Sequence, residues 1–109
     1  MNRGDIYIVN FDPSKGGEIG KLRPAIIISE YEDNQILDTV IVIPLSSVVE
    51  KNTKPYRVHI KKRENLLKDS DACIYEIRAL SKVRVKEKVA SLSEKELKTV
   101  QECLCKIVL

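Results

Sequence analysis

The sequence predicts a small, mainly β domain, a strongly bent sheet or barrel carrying one helix at its C-terminal end. Three observations point there. Short segments rich in Ile, Val and Tyr follow one another closely, with turn-forming residues between them. No βαβ alternation, internal repeat or low-complexity linker separates them. Only the last stretch of the chain places apolar residues at helical spacing. A length of 109 residues suits one domain spanning 1–109.

The first strand is expected over Asp5–Phe11, which alternates β-branched and aromatic residues. Asp12-Pro13 stops it, and Ser14–Leu22 holds Gly16, Gly17 and Gly20, three of the four glycines, so a turned loop follows. Pro24–Ser29 and Thr39–Leu45 are continuous apolar runs, as in strands buried on both faces. The polar stretch Glu30–Gln35 between them reads as a plain connection. Pro55–Lys61 alternates Tyr56, Val58 and Ile60 with Arg57, His59 and Lys61, a half-exposed strand with a basic outer face. Ala72–Ile77 is a further strand, Ser81–Arg84 a single helical turn, and Val89–Leu92 a brief last strand. Ser93-Glu94-Lys95-Glu96 is a capping box, and Leu97, Val100, Leu104 and Val108 follow on one helical face.

Apolar residues make up 43% and charged residues 32%, the balance of a folded chain and not a disordered one. No apolar run reaches the ~18–20 residues that span a bilayer. The first fifteen residues carry Arg3, Asp5 and Asp12 and no unbroken apolar core, so neither signal peptide nor membrane is expected, and the default location is the cytoplasm. The net charge of +3 hides a polarity. Residues 28–50 hold five acidic side chains and no Lys or Arg, whereas residues 51–68 hold seven cations against Glu64 alone. The basic block is either a solvated face or an attraction for a polyanion. Cys73, Cys103 and Cys105 form no C-x-x-C pair, so free thiols are expected, with neither disulfide nor zinc site.

Four features are candidate sites. The glycine loop misses the P-loop spacing by one residue and has Leu22 where Ser or Thr would hold magnesium. Arg23-Pro24 holds a planar, permanently charged fork at the start of a buried strand, a group suited to phosphate or else to a surface pair with Glu18. Pro44-Leu45-Ser46-Ser47 places hydroxyls at the end of the other buried strand, with no histidine set by motif to activate them. His59, the single histidine, shares a face with Arg57 and Lys61 and reads as a solvated strand residue. No carboxylate, His or Cys cluster has metal-ligand spacing, so no metal or other cofactor is expected.

An ordered set of motifs then covers nearly the whole chain: Arg3-Gly4-Asp5-Ile6-Tyr7, Phe11-Asp12-Pro13, Gly17-Glu18 and Gly20-Lys21-Leu22-Arg23-Pro24-Ala25-Ile26-Ile27-Ile28-Ser29. It continues through Pro44-Leu45-Ser46, Lys54-Pro55, Leu67-Lys68-Asp69-Ser70, Glu76-Ile77-Arg78 and Ser91-Leu92-Ser93-Glu94. In this the chain resembles the MazF/PemK family of toxin endoribonucleases. The resemblance implies an SH3-like β-barrel of the CcdB/PemK type with a C-terminal helix, forming a homodimer. It implies metal-independent cleavage of single-stranded RNA at short sequences, leaving a 2′,3′-cyclic phosphate and a 5′-hydroxyl, restrained by a cognate antitoxin polypeptide.

By the same resemblance the catalytic arginine falls on Arg23, the catalytic hydroxyl on Ser46 and the loop glutamate on Glu18. RNA contacts are expected from Lys15, Gly17, Lys21, Ser47, Lys54 and Glu76. Arg23 suits phosphorane charge and protonation of the leaving oxygen, and Ser46 suits a non-bridging oxygen. Whether Glu18 orients Arg23 or takes the 2′-proton stays open, as does the choice between Ser46 and Ser47. The chain departs from the family in having serine for the usual threonine at 46 and glutamate at 76 where many relatives have glutamine. The rivals are a CcdB-like toxin that poisons a protein such as DNA gyrase without catalysis, and a plain nucleic-acid-binding barrel. A pure binder needs none of Arg23, Ser46 and Glu18, and a nucleic-acid module would expose more aromatics than Tyr56.

Overall fold

The computed structural model describes residues 1–12, 16, 21–51 and 53–109. Seven strands form one antiparallel sheet: β1 (Asp5–Asn10), β2 (Leu22–Ile27), β3 (Thr39–Ser46), β4 (Arg57–Ile60), β5 (Ser70–Cys73), β6 (Arg78–Ser81) and β7 (Val85–Ser91). They run in the order β4-β5-β3-β2-β1-β7, with β6 also on β3. Two helices complete the fold, α1 (Tyr31–Ile36) and α2 (Glu94–Val108). The mainly β class with a closing helix is as expected.

The sheet curls toward a barrel without closing into one. Where β1 meets β7 the register slips twice, around Tyr7, and such bulges bend a sheet. Among the described residues no ladder joins β4 to β7. A backbone bond crosses the gap, from Asn65 N to Val89 O at 2.9 Å.

The continuous apolar runs have a simple cause: the sheet is covered on both faces. Ile6, Ile26, Ile43 and Leu45 pack on one face with Val58, Ile60 and Ile74 and with Val100 and Cys103 of α2. Val9, Phe11, Ala25, Ile27, Val40, Val42 and Leu80 form a second cluster on the other face. Neighbouring residues of β2 and β3 therefore enter different cores, which is why strict alternation is absent there.

α2 begins at Ser93, whose Oγ accepts from Glu96 N at 3.1 Å while Ser93 N donates to Glu96 Oε1 at 2.8 Å, so the capping box forms as expected. Gly4, at φ +93°, lets the N-terminal turn pass under this helix, because a Cβ there would lie 3.4 Å from Leu97. The apolar face is wider than expected in one place and narrower in another. Cys103 is buried on it, whereas Val108, at the frayed end, is exposed.

Other boundaries differ from the sequence reading. Glu30–Gln35 is no plain connection: from Tyr31 it is part of α1, a six-residue helix that runs to Ile36 without a side-chain cap. Its propensity is poor, and its one buried side chain explains it. Asn34 is 1% exposed, accepts from Ser29 Oγ at 2.5 Å and donates to Met1 O and Ser29 O at 3.1 Å. The strand expected to run to Ile77 ends at Cys73 and passes into a single 3-10 turn, Ile74–Glu76. β6 is only four residues long, too short to give a pattern of its own, and β7 starts at Val85 because Val85 and the polar Lys88 pair with Val9 and Tyr7 of β1 around the bulge. β4 is shorter than Pro55–Lys61, and Tyr56 faces solvent and stacks loosely on Tyr75, with centroids 5.7 Å apart. The turn at Lys82–Arg84 is present, opened by Ser81.

A bidentate ion pair ties α2 to the β4–β5 connection. Arg63 donates through both Nη atoms to Glu96, and Nη2–Oε2 measures 2.6 Å. The Arg63 hydrogen bond holds the Glu96 carboxyl down at about 2 from an ordinary 4.5. Because the folded-state value is depressed, the stabilisation is present above about pH 4.5 and is lost as pH falls toward 2. Solvent reaches both partners, so about 1 kcal/mol is expected. Glu96→Gln keeps the capping hydrogen bond and should flatten the acid limb of urea-unfolding midpoints measured between pH 5 and 2, with little change in its slope near neutrality. The three thiols give a second check. Burial pushes Cys73 up, Cys103 is buried, and Cys105 is exposed. One equivalent of a thiol reagent should react rapidly with the native protein, at Cys105, and Cys105→Ser should abolish that fast phase.

Candidate active site

The site arises where β2 and β3 part. Their pairing runs through Ile27–Val42, Ile26–Ile43 and Ala25–Pro44 and then stops. The next residue of β2 is Pro24, which has no N–H to continue the ladder. From Leu45 onward β3 pairs with β5 instead, Leu45 with Ala72 and Ser46 with Asp71. A cleft of about 310 Å³ opens between the separated ends. Arg23 and Pro24 line one side, Leu45 and Ser47 another, and Asn65–Lys68 with Ser70 close the third.

Arg23 is half-buried, its backbone is held across from Val9 of β1, and the residue borders the cleft. Carrying the β2–β3 register two residues past its last pair sets Arg23 opposite Ser46. Ser46 is only 8% exposed, and its Oγ accepts from Val48 N at 3.2 Å. That bond occupies a lone pair and leaves the hydroxyl proton to donate. Ser47, its exposed neighbour, lines the cleft directly. The two hydroxyls thus differ: one is fixed and nearly buried, the other open.

Lys21 is exposed at the head of β2, in a left-handed conformation at φ 67°. Its N–H donates to Asp12 Oδ1 at 2.6 Å and its carbonyl accepts from Phe11 N at 2.8 Å, so the two ends of the glycine loop are fastened together. Lys15, Gly17 and Glu18 lie outside the described residues. Glu76, half-buried at the end of the 3-10 turn, does not line the cleft. Lys54 is also elsewhere. It borders a second hollow of about 440 Å³ with Glu50, Thr53, Arg57 and His59.

Asp71 was not singled out from the sequence, yet it holds the serine-bearing turn in place. Its side chain is 1% exposed and accepts from Glu50 N at 2.8 Å. Arg57 lies 3.5 Å from the same carboxylate and donates to Val48 O at 2.9 Å, so both ends of the turn after Ser46 are gripped. His59 is an exposed strand residue, as expected, and its ring lies beside two carboxylates, with Nδ1 3.4 Å from Asp71 and Nε2 3.8 Å from Asp69. One signal for Asp71 was available: a lone acid inside Ser70-Asp71-Ala72-Cys73, otherwise small and apolar, is tolerated in a strand core only with partners.

Residues 2–108 match the family of PemK-like, MazF-like toxins of type II toxin-antitoxin systems. Over 105 residues the chain is 38% identical to an endoribonuclease MazF of Staphylococcus saprophyticus, covering 95% of this chain and 88% of that one. The fold matches MazF of Deinococcus radiodurans with a TM-score of 0.83 at 22% identity, over 99% of this chain and 96% of that one. It also matches a mycobacterial endoribonuclease, solved in complex with its cognate antitoxin, with a TM-score of 0.77 at 16% identity, over 97% and 92% of the two chains. Sequence along almost the full length and fold therefore agree: the chain belongs to the PemK-like, MazF-like toxin family.

Proposed function

We propose that the protein is a toxin endoribonuclease that cuts single-stranded RNA at selected sequences without a metal. The observation that carries this reading is that Arg23 and Ser47 border one cleft at the parted ends of β2 and β3, with the nearly buried Ser46 next in the chain and opposite Arg23 by extension of the strand register. RNA supplies its own nucleophile. The 2′-oxygen attacks the adjacent phosphorus, the bond to the 5′-oxygen breaks, and the products are a 2′,3′-cyclic phosphate and a 5′-hydroxyl. The 2′-proton must leave and the departing 5′-oxygen must gain one. The protein's share is to align three atoms and to neutralise the extra charge of the phosphorane.

Arg23 is suited to that charge and to giving the leaving oxygen its proton, because a guanidinium fork matches phosphate oxygens. A seryl proton donated to a non-bridging oxygen completes the cradle. Glu18, matched to the family's loop glutamate, remains our candidate for orienting Arg23 or accepting the 2′-proton. Lys15, Gly17, Lys21, Ser47, Lys54 and Glu76 are our candidates for RNA contacts. Of these, Lys21, Lys54 and Ser47 are exposed, as a contact residue must be. We read the working unit as a cytoplasmic homodimer held inactive by a cognate antitoxin. No helix is long and apolar enough to cross a membrane among the described residues.

Purified protein in EDTA should cut a long single-stranded RNA, and Arg23→Ala should lower the rate by about 10²–10³ while leaving the circular dichroism spectrum unchanged. Intact RNA with the wild type, or equal cutting by the variant, would sink the reading. Sequencing the ends should find a cyclic phosphate and a 5′-hydroxyl. Ser46→Ala should cost roughly 10- to 100-fold in kcat, the worth of one hydrogen bond to a charged group. Ser47→Ala should cost less; the opposite order would transfer the role to Ser47.

A further inference from the structure

The third wall of the cleft has no part in the cleavage chemistry, yet it is built to hold still. Arg63 and Leu66 exchange backbone bonds at 3.1 and 2.8 Å, making a tight hairpin whose turn is Glu64-Asn65, with Glu64 at φ 49°. Arg63 is fastened to α2 through Glu96, Asn65 N to β7 through Val89 O at 2.9 Å, and Leu66 is buried in the core. The turn is thus pinned on three sides. It presents Asn65 to the cleft, and the Asn65 amide makes no hydrogen bond to any described residue. Two leucines border the same space unusually bare, Leu22 at 61% and Leu67 at 79% exposure.

A phosphate uses none of this. Leu22 and Leu67 offer a phosphate oxygen nothing, but they suit the flat face of a base, whose transfer out of water is favourable. A free amide on a rigid backbone is the group that reads a base edge, since it carries an acceptor and a donor side by side. The volume is sufficient for one nucleoside, and Arg23 stands in the same cleft for its phosphate.

We infer that this pocket is a nucleobase subsite: the unstacked base next to the scissile phosphate lies between Leu22 and Leu67, and Asn65 reads its Watson–Crick edge. Asn65 is thereby a specificity-determining residue of this chain. The inference rests on the endoribonuclease reading above. Because the hairpin is held before RNA arrives, recognition should act on which sites are cut as well as on how fast.

The test is deep sequencing of cleavage ends from a randomised single-stranded RNA, using the full-length wild type, Asn65→Asp and Asn65→Gly. A carboxylate only accepts, and guanine offers two adjacent donors, N1–H and N2–H. Asn65→Asp is therefore expected to favour guanine at one position beside the cut and to lower cutting there of bases that need a donor by tenfold or more. Asn65→Gly suits the turn and removes the amide, so it should make that same position degenerate. Should Asn65→Asp fail to fold by circular dichroism, the glycine variant decides alone. Identical base preferences in all three proteins, or a loss spread evenly over all sites, overturns the subsite. A wild type that cuts no RNA defeats the endoribonuclease reading itself, and is told apart by the control lane.

Discussion

A missing hydrogen-bond donor shapes the whole site. Pro24 has no N–H to give β3, so the β2–β3 ladder ends at Ala25–Pro44 and the two strands separate. In a fully paired sheet the ends of β2 and β3 would lie about 5 Å apart with no room between them for a nucleotide. Parting them costs a few backbone bonds. β3 recovers part of this by pairing Leu45 and Ser46 with β5. The cleft is thus the space between two competing partners of one strand, and Arg23 and Ser47 are residues at its edges, with Ser46 next to Ser47 in the chain.

Such an opening is useful only if its borders hold their shape. Buried Asp71, with Arg57, grips the turn after Ser46 from behind. Arg63 and Glu96 pin the opposite hairpin to α2, and Asp12 and Lys21 fasten the two ends of the glycine loop. Three separate parts of the chain are fixed by charge-assisted bonds to elements that the two cores already stabilise. Rigidity around a reacting phosphate is worth more than affinity, because an in-line attack tolerates little misalignment.

The basic block of residues 51–68 divides accordingly. Its arginines Arg57 and Arg63 work inside the protein, each paired with a carboxylate and a backbone carbonyl. Its lysines Lys51, Lys54, Lys61, Lys62 and Lys68 are exposed. A planar fork suits a fixed bidentate partner, and a flexible ammonium suits a mobile polyanion. The charge the block leaves free to face solvent is accordingly its lysine share.

What the amino-acid sequence determined by itself was whatever depends on near neighbours or on long apolar runs. The capping box at Ser93, the turn opened by Ser81, and the doubly buried β2 and β3 all belong here, and so do Arg23 and Ser46 as candidates, through their ordered motifs. Tertiary structure alone decided the rest. α1 exists because Asn34 finds partners at Met1 and Ser29; β6 and the polar part of β7 exist because β3 and β1 offer them edges. Asn65, Leu22 and Leu67 share a cleft although 43 and 45 residues of sequence separate the two later ones from Leu22. Pairing across strands brings such residues together, and no local pattern records which strands will meet.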